Sequence, residues 1–276
     1  MSEFVRPQVV AHRGASSKVA EHTLAAYEAA IADGAQALEC DVRLTSDGHL
    51  VCVHDSKINR TSDGRGRVSN KRLTELMDRD FMSWWTPQRS EELGLSASEL
   101  PEYDHEERTV LTLDRLLELI DGTDVELAVE TKHPMRYGGY LEQSVVETLD
   151  RYGMLPRPGT ASQVRVMSFA PVAMRRMSEL APEVPTVFLL DQPVKRRFRT
   201  GYVPGGARIV GPSIALLREQ PKLVEQWQAD GVAIHVWVVD DYDDVRFACR
   251  TGVAALITNR PARVGQWLDE FGESGL

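Results

Sequence analysis

Along this chain, short runs rich in β-branched and apolar residues alternate with longer segments whose apolar positions recur every three or four residues. "QVVAHRG" (8–14) is the first extended run and ends on Gly14. "TLAAYEAAIADGA" (23–35) reads as an Ala-rich helix closed by Gly34, since glycine readily takes the left-handed conformation past a helix end. "ALECDV" (37–42) is extended again, and "SDGHLVCVHD" (46–55) turns at Asp47-Gly48, a hairpin signal. Helices are predicted over 73–81 and 111–122, the latter capped by Thr112, and "VELAVETKHP" (125–134) is a strand stopped by Pro134. The rhythm continues with helices over 141–153, 171–182, 221–231 and 242–252, and strands over 163–169, 185–190, 207–213, 233–240 and 254–261.

Strand–helix alternation at this spacing implies parallel strands joined by crossover helices. At 276 residues, with no linker-like segment or internal repeat, the pattern predicts one (β/α)₈ TIM barrel spanning 1–276. Nine extended segments compete for eight barrel positions. The hairpin strand 49–54 is the expected spare, because a tight turn forces antiparallel pairing. Segment 57–110 is the least regular and is expected over the barrel mouth.

The strand 37–42 departs from the pattern, because Glu39 and Asp41 stand among apolar neighbours. Buried carboxylates without partners are costly, so something must compensate. If Asp47 and Gly48 are the two central turn residues, Asp41 lies opposite His54, with Cβ atoms about 4.5–5.5 Å apart, and Glu39 is on the same face. Cys40 and Cys52 then face the other way, as packing. Barrel sites form at the C-terminal strand ends. Those ends carry His12, Arg13, Glu39, Asp41, Glu130, Lys132, Ser168, Phe169, Trp237 and Asp240.

Carboxylates from Glu39, Asp41 and Glu130, with no cysteine at zinc spacing, favour one hard divalent cation: Mg²⁺ or Ca²⁺, with Mn²⁺ as a further candidate. Arg13 and Lys132 would then make the site attractive to a phosphodiester. His12 and His54 beside it fit general acid–base chemistry near neutral pH. Composition narrows the field. With 42% hydrophobic and 26% charged residues the chain reads as globular, and its net charge of -9 argues against nucleic acid as a partner. Neither a signal segment nor an apolar run long enough to cross a bilayer is present, so stable membrane insertion is not expected and a cytoplasmic location is. Cys40, Cys52 and Cys249 are expected as buried reduced thiols.

"AHRGAS", "EHTLAAYEAA", "ECDVRLTSDGHLVCVHD", "VETKHP", "VWVVD" and "LITNRP" together resemble the glycerophosphodiester phosphodiesterase family from residue 9 to about 261. The resemblance implies a (β/α)₈ barrel that uses a divalent cation to hydrolyse glycerophosphodiesters, such as deacylated phospholipids, to an alcohol and glycerol 3-phosphate. It places His12 and His54 as the acid/base pair, Glu39, Asp41 and Glu130 as metal ligands, Arg13 and Lys132 on the phosphate, and Trp237 near the glycerol moiety. It also implies that the substrate's own glycerol hydroxyl attacks first, giving a cyclic phosphate that water opens. Two positions depart from the family pattern. His22 and Asp240 stand where Asn is usual, and both are expected near the rim.

Other readings stay open at this point. Glu130 and Lys132 could pair on the rim, Trp237 could be packing, and His22, His49, His105 and His235 read as structural or surface residues. His133 has the parity of the face pointing away. "DGRGR" (63–67) reads as a turn rather than as a phosphate loop. Two alternative functions remain: a phospholipase acting on intact lipid and releasing a cyclic product, with "FMSWW" (81–85) as its apolar patch, and a non-catalytic phosphodiester-binding barrel.

Overall fold

The computed structural model of the protein describes residues 4–85, 102–135, 138–191 and 203–274. Its strands are β1 (Gln8–His12), β2 (Ala37–Leu44), β3 (Leu50–Cys52), β4 (Glu126–Thr131), β5 (Val164–Ser168), β6 (Thr186–Leu190), β7 (Ile209–Pro212), β8 (Ala233–Val236) and β9 (Ala255–Thr258). They follow the order β1-β9-β8-β7-β6-β5-β4-β2-β3, and β1 also pairs with β2, which closes the ring. β3 is antiparallel to β2 and lies outside the ring, so eight parallel strands form a (β/α)₈ TIM barrel, with the hairpin strand as the spare.

The helices form because their apolar residues pack inward and their starts are capped. The first, Leu24–Ala32, starts where the Thr23 hydroxyl accepts from the Ala26 amide; it is apolar nearly all round and buries Leu24, Ala25, Ala26, Tyr27 and Ala30. Helix Leu113–Ile120 starts where Thr112 accepts from the Arg115 amide, and its buried Leu113, Leu116, Leu117 and Ile120 follow the i, i+3, i+4, i+7 pattern. Leu116→Ala there would cost about 2–5 kcal/mol by leaving a cavity. Helices Ile214–Glu219 and Pro261–Ser274 lie outside the elements predicted from the sequence. The second of these seats Val264, Leu268 and Phe271 against the barrel wall.

Inside the barrel the residues form layers. At the N-terminal end, Arg165 donates to Glu126 at 2.6 Å and to Gln8 at 2.9 Å, beside buried His235. The middle is a dry layer of Val10, Ala37, Ala128, Met167, Val187 and Ala255. Small residues are needed here because eight strands leave little interior space. At the C-terminal end the candidate chemistry begins.

The hairpin register differs from the expected one by one residue. Val42 pairs with Cys52 and Leu44 with Leu50. The loop has three residues rather than two, since Thr45 N donates to His49 O at 2.9 Å, with Gly48 at φ +86. A left-handed glycine in the last loop position is the usual solution for that length. Asp41 therefore faces Val53, whose amide donates to the Asp41 carbonyl at 2.9 Å, and His54 lies one residue past the ladder. Cys40, Cys52 and Cys249 are buried and unpaired, as expected.

Candidate functional site

The turn after β1 is built by two left-handed residues, Arg13 at φ 57 and Gly14 at φ 85. A Cβ on Gly14 would sit 2.6 Å from the Ala26 carbonyl, so only glycine lets this turn pack on the first helix. The turn folds the chain back so that the Arg13 amide donates to the Glu39 carbonyl at 3.1 Å and to Glu39 Oε2 at 3.0 Å. It also aims the Arg13 side chain at Asp41 and Glu21, with Nε 3.0 Å from Asp41 Oδ2 and a second nitrogen 3.1 Å from Glu21.

Parallel register brings the acids together. His12 aligns with Glu39, and Asp41 with Glu130. Ligand atoms of Glu39, Asp41 and Glu130 all lie within 4.8 Å of one another, and all three residues are buried. Lys132 Nζ stands 2.9 Å from Asp41 Oδ1 and 2.8 Å from Glu130 Oε1. Burial and the Asp41 charge push the Glu39 carboxyl well above its ordinary value and Glu130 up to about 8. Burial pushes Asp41 up too, but Lys132, His22 and Arg13 outweigh it and hold that carboxyl well below the usual range. The one ammonium of Lys132 is thus shared between two of three buried acids. Three crowded carboxyl groups, all oxygen donors, fit a hard cation.

His12 is held from behind. Asp240 accepts from the Asn259 side-chain amide at 2.6 Å and from its backbone amide at 2.8 Å. This fixes the amide so that its oxygen takes the His12 Nδ1 proton at 2.7 Å, which leaves Nε2 with its lone pair toward the cavity. Burial and then Arg13 lower the His12 pKa to about 4, so the ring is neutral at pH 7.

His54 is held differently. Its Nδ1 meets Asp55 Oδ1 at 2.8 Å, and Arg43 grips its carbonyl through two nitrogens at 3.0 and 2.6 Å. Arg60 lies between the two loops, contacting Asp55 at 3.0 Å and both oxygens of Glu21 at 2.8 Å. Arg60 holds Asp55 at a pKa of about 2, and Arg60 with Arg13 overcomes burial to hold Glu21 at about 2. A chain of charges thus runs Arg13–Glu21–Arg60–Asp55–His54 across the mouth.

These groups border a cavity of about 290 Å³, whose walls include His12, Glu39, His54, Glu130, Lys132 and Trp237. The Trp237 indole N–H is used by the Gly211 carbonyl at 2.7 Å, and its ring meets Phe169 edge-on at 5.5 Å. Trp237 therefore offers the cavity an apolar wall and no free donor.

Two expectations need correcting. His22 is not at the rim or on the surface, so of its two readings the structural one stands. It is buried in the left-handed region at φ 62, with Nε2 2.8 Å from Asp41 Oδ2 and Nδ1 2.8 Å from the Tyr27 hydroxyl. Asp240 does border the open cleft beside the mouth, and there it anchors Asn259. In "FMSWW", Phe81, Met82 and Trp85 are buried and Trp84 is half-buried, with its N–H on the Phe81 carbonyl, so no open apolar patch exists there. The described parts of 57–110 do border the mouth through Arg60 and Trp84, while 86–101 lies outside the described residues. His133 points away, as its parity implies, to Glu142 at 2.5 Å. Asn259, Asp55, Glu21 and Arg60 are contributors that the sequence reading does not single out.

A sequence model described as the glycerophosphoryl diester phosphodiesterase family matches residues 12–263. A Mycobacterium tuberculosis protein named probable glycerophosphodiester phosphodiesterase 1 is 42% identical over 98% of this chain and 95% of its own length. A Bacillus subtilis glycerophosphodiester phosphodiesterase is 29% identical over 91% of this chain and 83% of its own. Among solved structures, an Oleispira antarctica phosphodiesterase in complex with the product sn-glycerol-3-phosphate superposes with a TM-score of 0.77 at 23% identity, covering 95% of this chain and 97% of that one.

Proposed function

The chain belongs to the glycerophosphoryl diester phosphodiesterase family, and from that premise we infer that it hydrolyses glycerophosphodiesters to an alcohol and glycerol 3-phosphate with a bound divalent cation and a histidine pair. The observation that carries this reading is the convergence of Glu39, Asp41 and Glu130 within 4.8 Å, beside a cavity that His12, His54, Glu39 and Glu130 line. Glu39, Asp41 and Glu130 would hold the cation, and an all-oxygen set suits Mg²⁺, Ca²⁺ or Mn²⁺. When bound, it supplies a positive charge that offsets the charge developing on the phosphoryl oxygens.

The protein's own groups do the rest. Arg13 and Lys132 bind the phosphate, and the Trp237–Phe169 wall flanks the glycerol. His12 is neutral and backed only by an amide, so it is assigned the base; burial, Lys132 and Arg13 lower the His54 pKa as well, but Asp41 and the Asp55 hydrogen bond favour its charged ring, so His54 is assigned the acid. In the first half, His12 takes the proton of the glycerol hydroxyl as its oxygen bonds to phosphorus. The P–O bond to the alcohol breaks, and His54 protonates the departing oxygen. In the second half, His54 takes a proton from water, the water oxygen opens the cyclic phosphate, and His12 returns its proton to the glycerol oxygen. Both rings end as they began.

The test is release of glycerol 3-phosphate from glycerophosphocholine with and without a chelator. Turnover that stops in chelator and returns with added cation supports the reading, and full activity in chelator removes the metal role. A phospholipase acting on intact lipid has less support, because the aromatic run that would meet the lipid is tucked into the fold.

A further inference from the structure

Beside the catalytic cavity, and sharing His54, Glu130, Lys132 and Phe169 with it, runs a groove of about 660 Å³. It continues into a second recess of about 390 Å³ through Arg43, Ser56, Arg67 and Pro134. The charges along it are Arg43, Lys57 and Arg67, beyond the Lys132 already described. Its acids are both committed, Asp55 to Arg60 and His54, and Glu130 to Lys132.

Two features of this groove are unfavourable without a ligand. Lys57 and Arg67 face each other directly across an antiparallel bridge, held by the Ile58 amide on Gly66 O at 3.0 Å and the Val68 amide on Ser56 O at 3.1 Å. Both side chains are exposed, so solvent weakens the repulsion between like charges so opposed without removing it. Arg43 is half-buried, and among the described residues its guanidinium hydrogen-bonds to the His54 carbonyl and to no carboxylate. Among the described residues none of these three cations forms an ion pair with an acid, in a chain whose net charge is -9. The cleft of about 780 Å³ on the other flank, by His12 and Arg13, differs, because Glu21 and Asp240 stand among its cations.

We propose that the Arg43–Lys57–Arg67 groove is an anion subsite that binds a second phosphate carried by the leaving alcohol. This rests on the phosphodiesterase reading and adds a substrate preference to it. With the scissile phosphate at the acid cluster, the glycerol side takes the aromatic wall, and the alcohol leaves past His54 into the groove. A phosphate there relieves the Lys57–Arg67 repulsion and gives Arg43 a counter-ion, and planar guanidinium groups can grip it with paired donors. Neutral or cationic alcohols gain nothing from these residues.

The experiment uses two diesters whose leaving alcohols differ in one group, glycerophosphoglycerol with and without a phosphate on the terminal hydroxyl of the departing glycerol. In the wild type, kcat/KM is expected to be at least tenfold higher for the phosphorylated diester, mostly through KM, with the ratio shrinking as salt is raised. In Lys57→Gln/Arg67→Gln the ratio should fall toward one, while the plain diester is turned over within about twofold of wild type. Each single variant should fall between. Relief of the opposed charges should leave the double variant melting no lower than wild type. A wild-type ratio near one, or a ratio unchanged in the double variant, overturns the subsite while hydrolysis of the plain diester upholds the phosphodiesterase reading. No hydrolysis of either diester with any of the three cations overturns both.

Discussion

The two ends of the barrel interior carry the same kinds of residue in opposite arrangements. At the N-terminal end, buried Arg165 meets Glu126 at 2.6 Å and Gln8 at 2.9 Å, and His235 beside it is driven by burial and by Arg165 to a pKa of about 3. A cation has its acid, and the imidazole stays neutral. At the C-terminal end, three acids are crowded within 4.8 Å, and two histidines present nitrogens to a cavity. The first arrangement closes the barrel. The second retains like-charge repulsion, which is worth keeping only where a bound ion can use it. Ionisable groups inside a barrel do not by themselves mark a site. The mark is a set whose charges do not balance, with a cavity beside them.

The largest effects should separate the two ends by residue type. His12→Ala or His54→Ala is expected to lower kcat by about 10²–10⁴-fold with little change in Tm, whereas His235→Ala should lower Tm and leave kcat within about threefold. Steady-state kinetics and thermal melts on the three variants check this, and an active His54→Ala would remove that residue from the chemistry. Next comes a reversal of sign. Glu126→Gln leaves Arg165 without its acid and should destabilise by about 1–3 kcal/mol, reduced by the partial exposure of Glu126. Glu39→Gln in cation-free protein should instead stabilise, because a buried charge facing Asp41 is gone. Cation saturation should raise wild-type stability by about 2.7 kcal/mol at a hundred times Kd, and Glu39→Gln should lose that increment in denaturant titrations.

The smallest effect concerns the mouth. Glu21 and Asp55 have pKa values of about 2 in the folded protein. Their contribution is therefore present above the unfolded carboxylate range and is lost as pH falls from about 4.5 toward 2. Arg60→Ala should bring that loss to higher pH and cost about 1 kcal/mol at pH 7, since the network is partly exposed. Acid unfolding curves that coincide for wild type and variant would show that Arg60 does not set these values.

The barrel and most of its site were legible because both depend on short-range regularities. Strand–helix alternation, the Gly34 stop and the Thr112 cap are local, and the spacing of Glu39, Asp41, Glu130 and Lys132 needs only a strand's two-residue period. What escaped depends on distance or on backbone detail. The one-residue shift at the hairpin came from a left-handed Gly48 that serves a two- or three-residue loop equally well. Asn259, held by Asp240, backs His12 across 247 positions of sequence, and nothing near it announces the partner. His22 looked peripheral because its role depends on a left-handed backbone that brings Nε2 to Asp41. Asp55 had a visible signal, standing next to His54, but Arg60 joining it to Glu21 had none.

His54 follows β3, the strand outside the eight staves, while His12 is fixed in the wall. One reacting partner is thus anchored and the other is carried by an appendage stitched on through Val42–Cys52 and Leu44–Leu50. Leu50, Val51, Cys52 and Val53 are buried in the core, so the gap between the two imidazoles can be retuned only past them, in the loop that carries His54. The accepted size of substrate is therefore set by a few residues of loop and not by the strand that holds it in place.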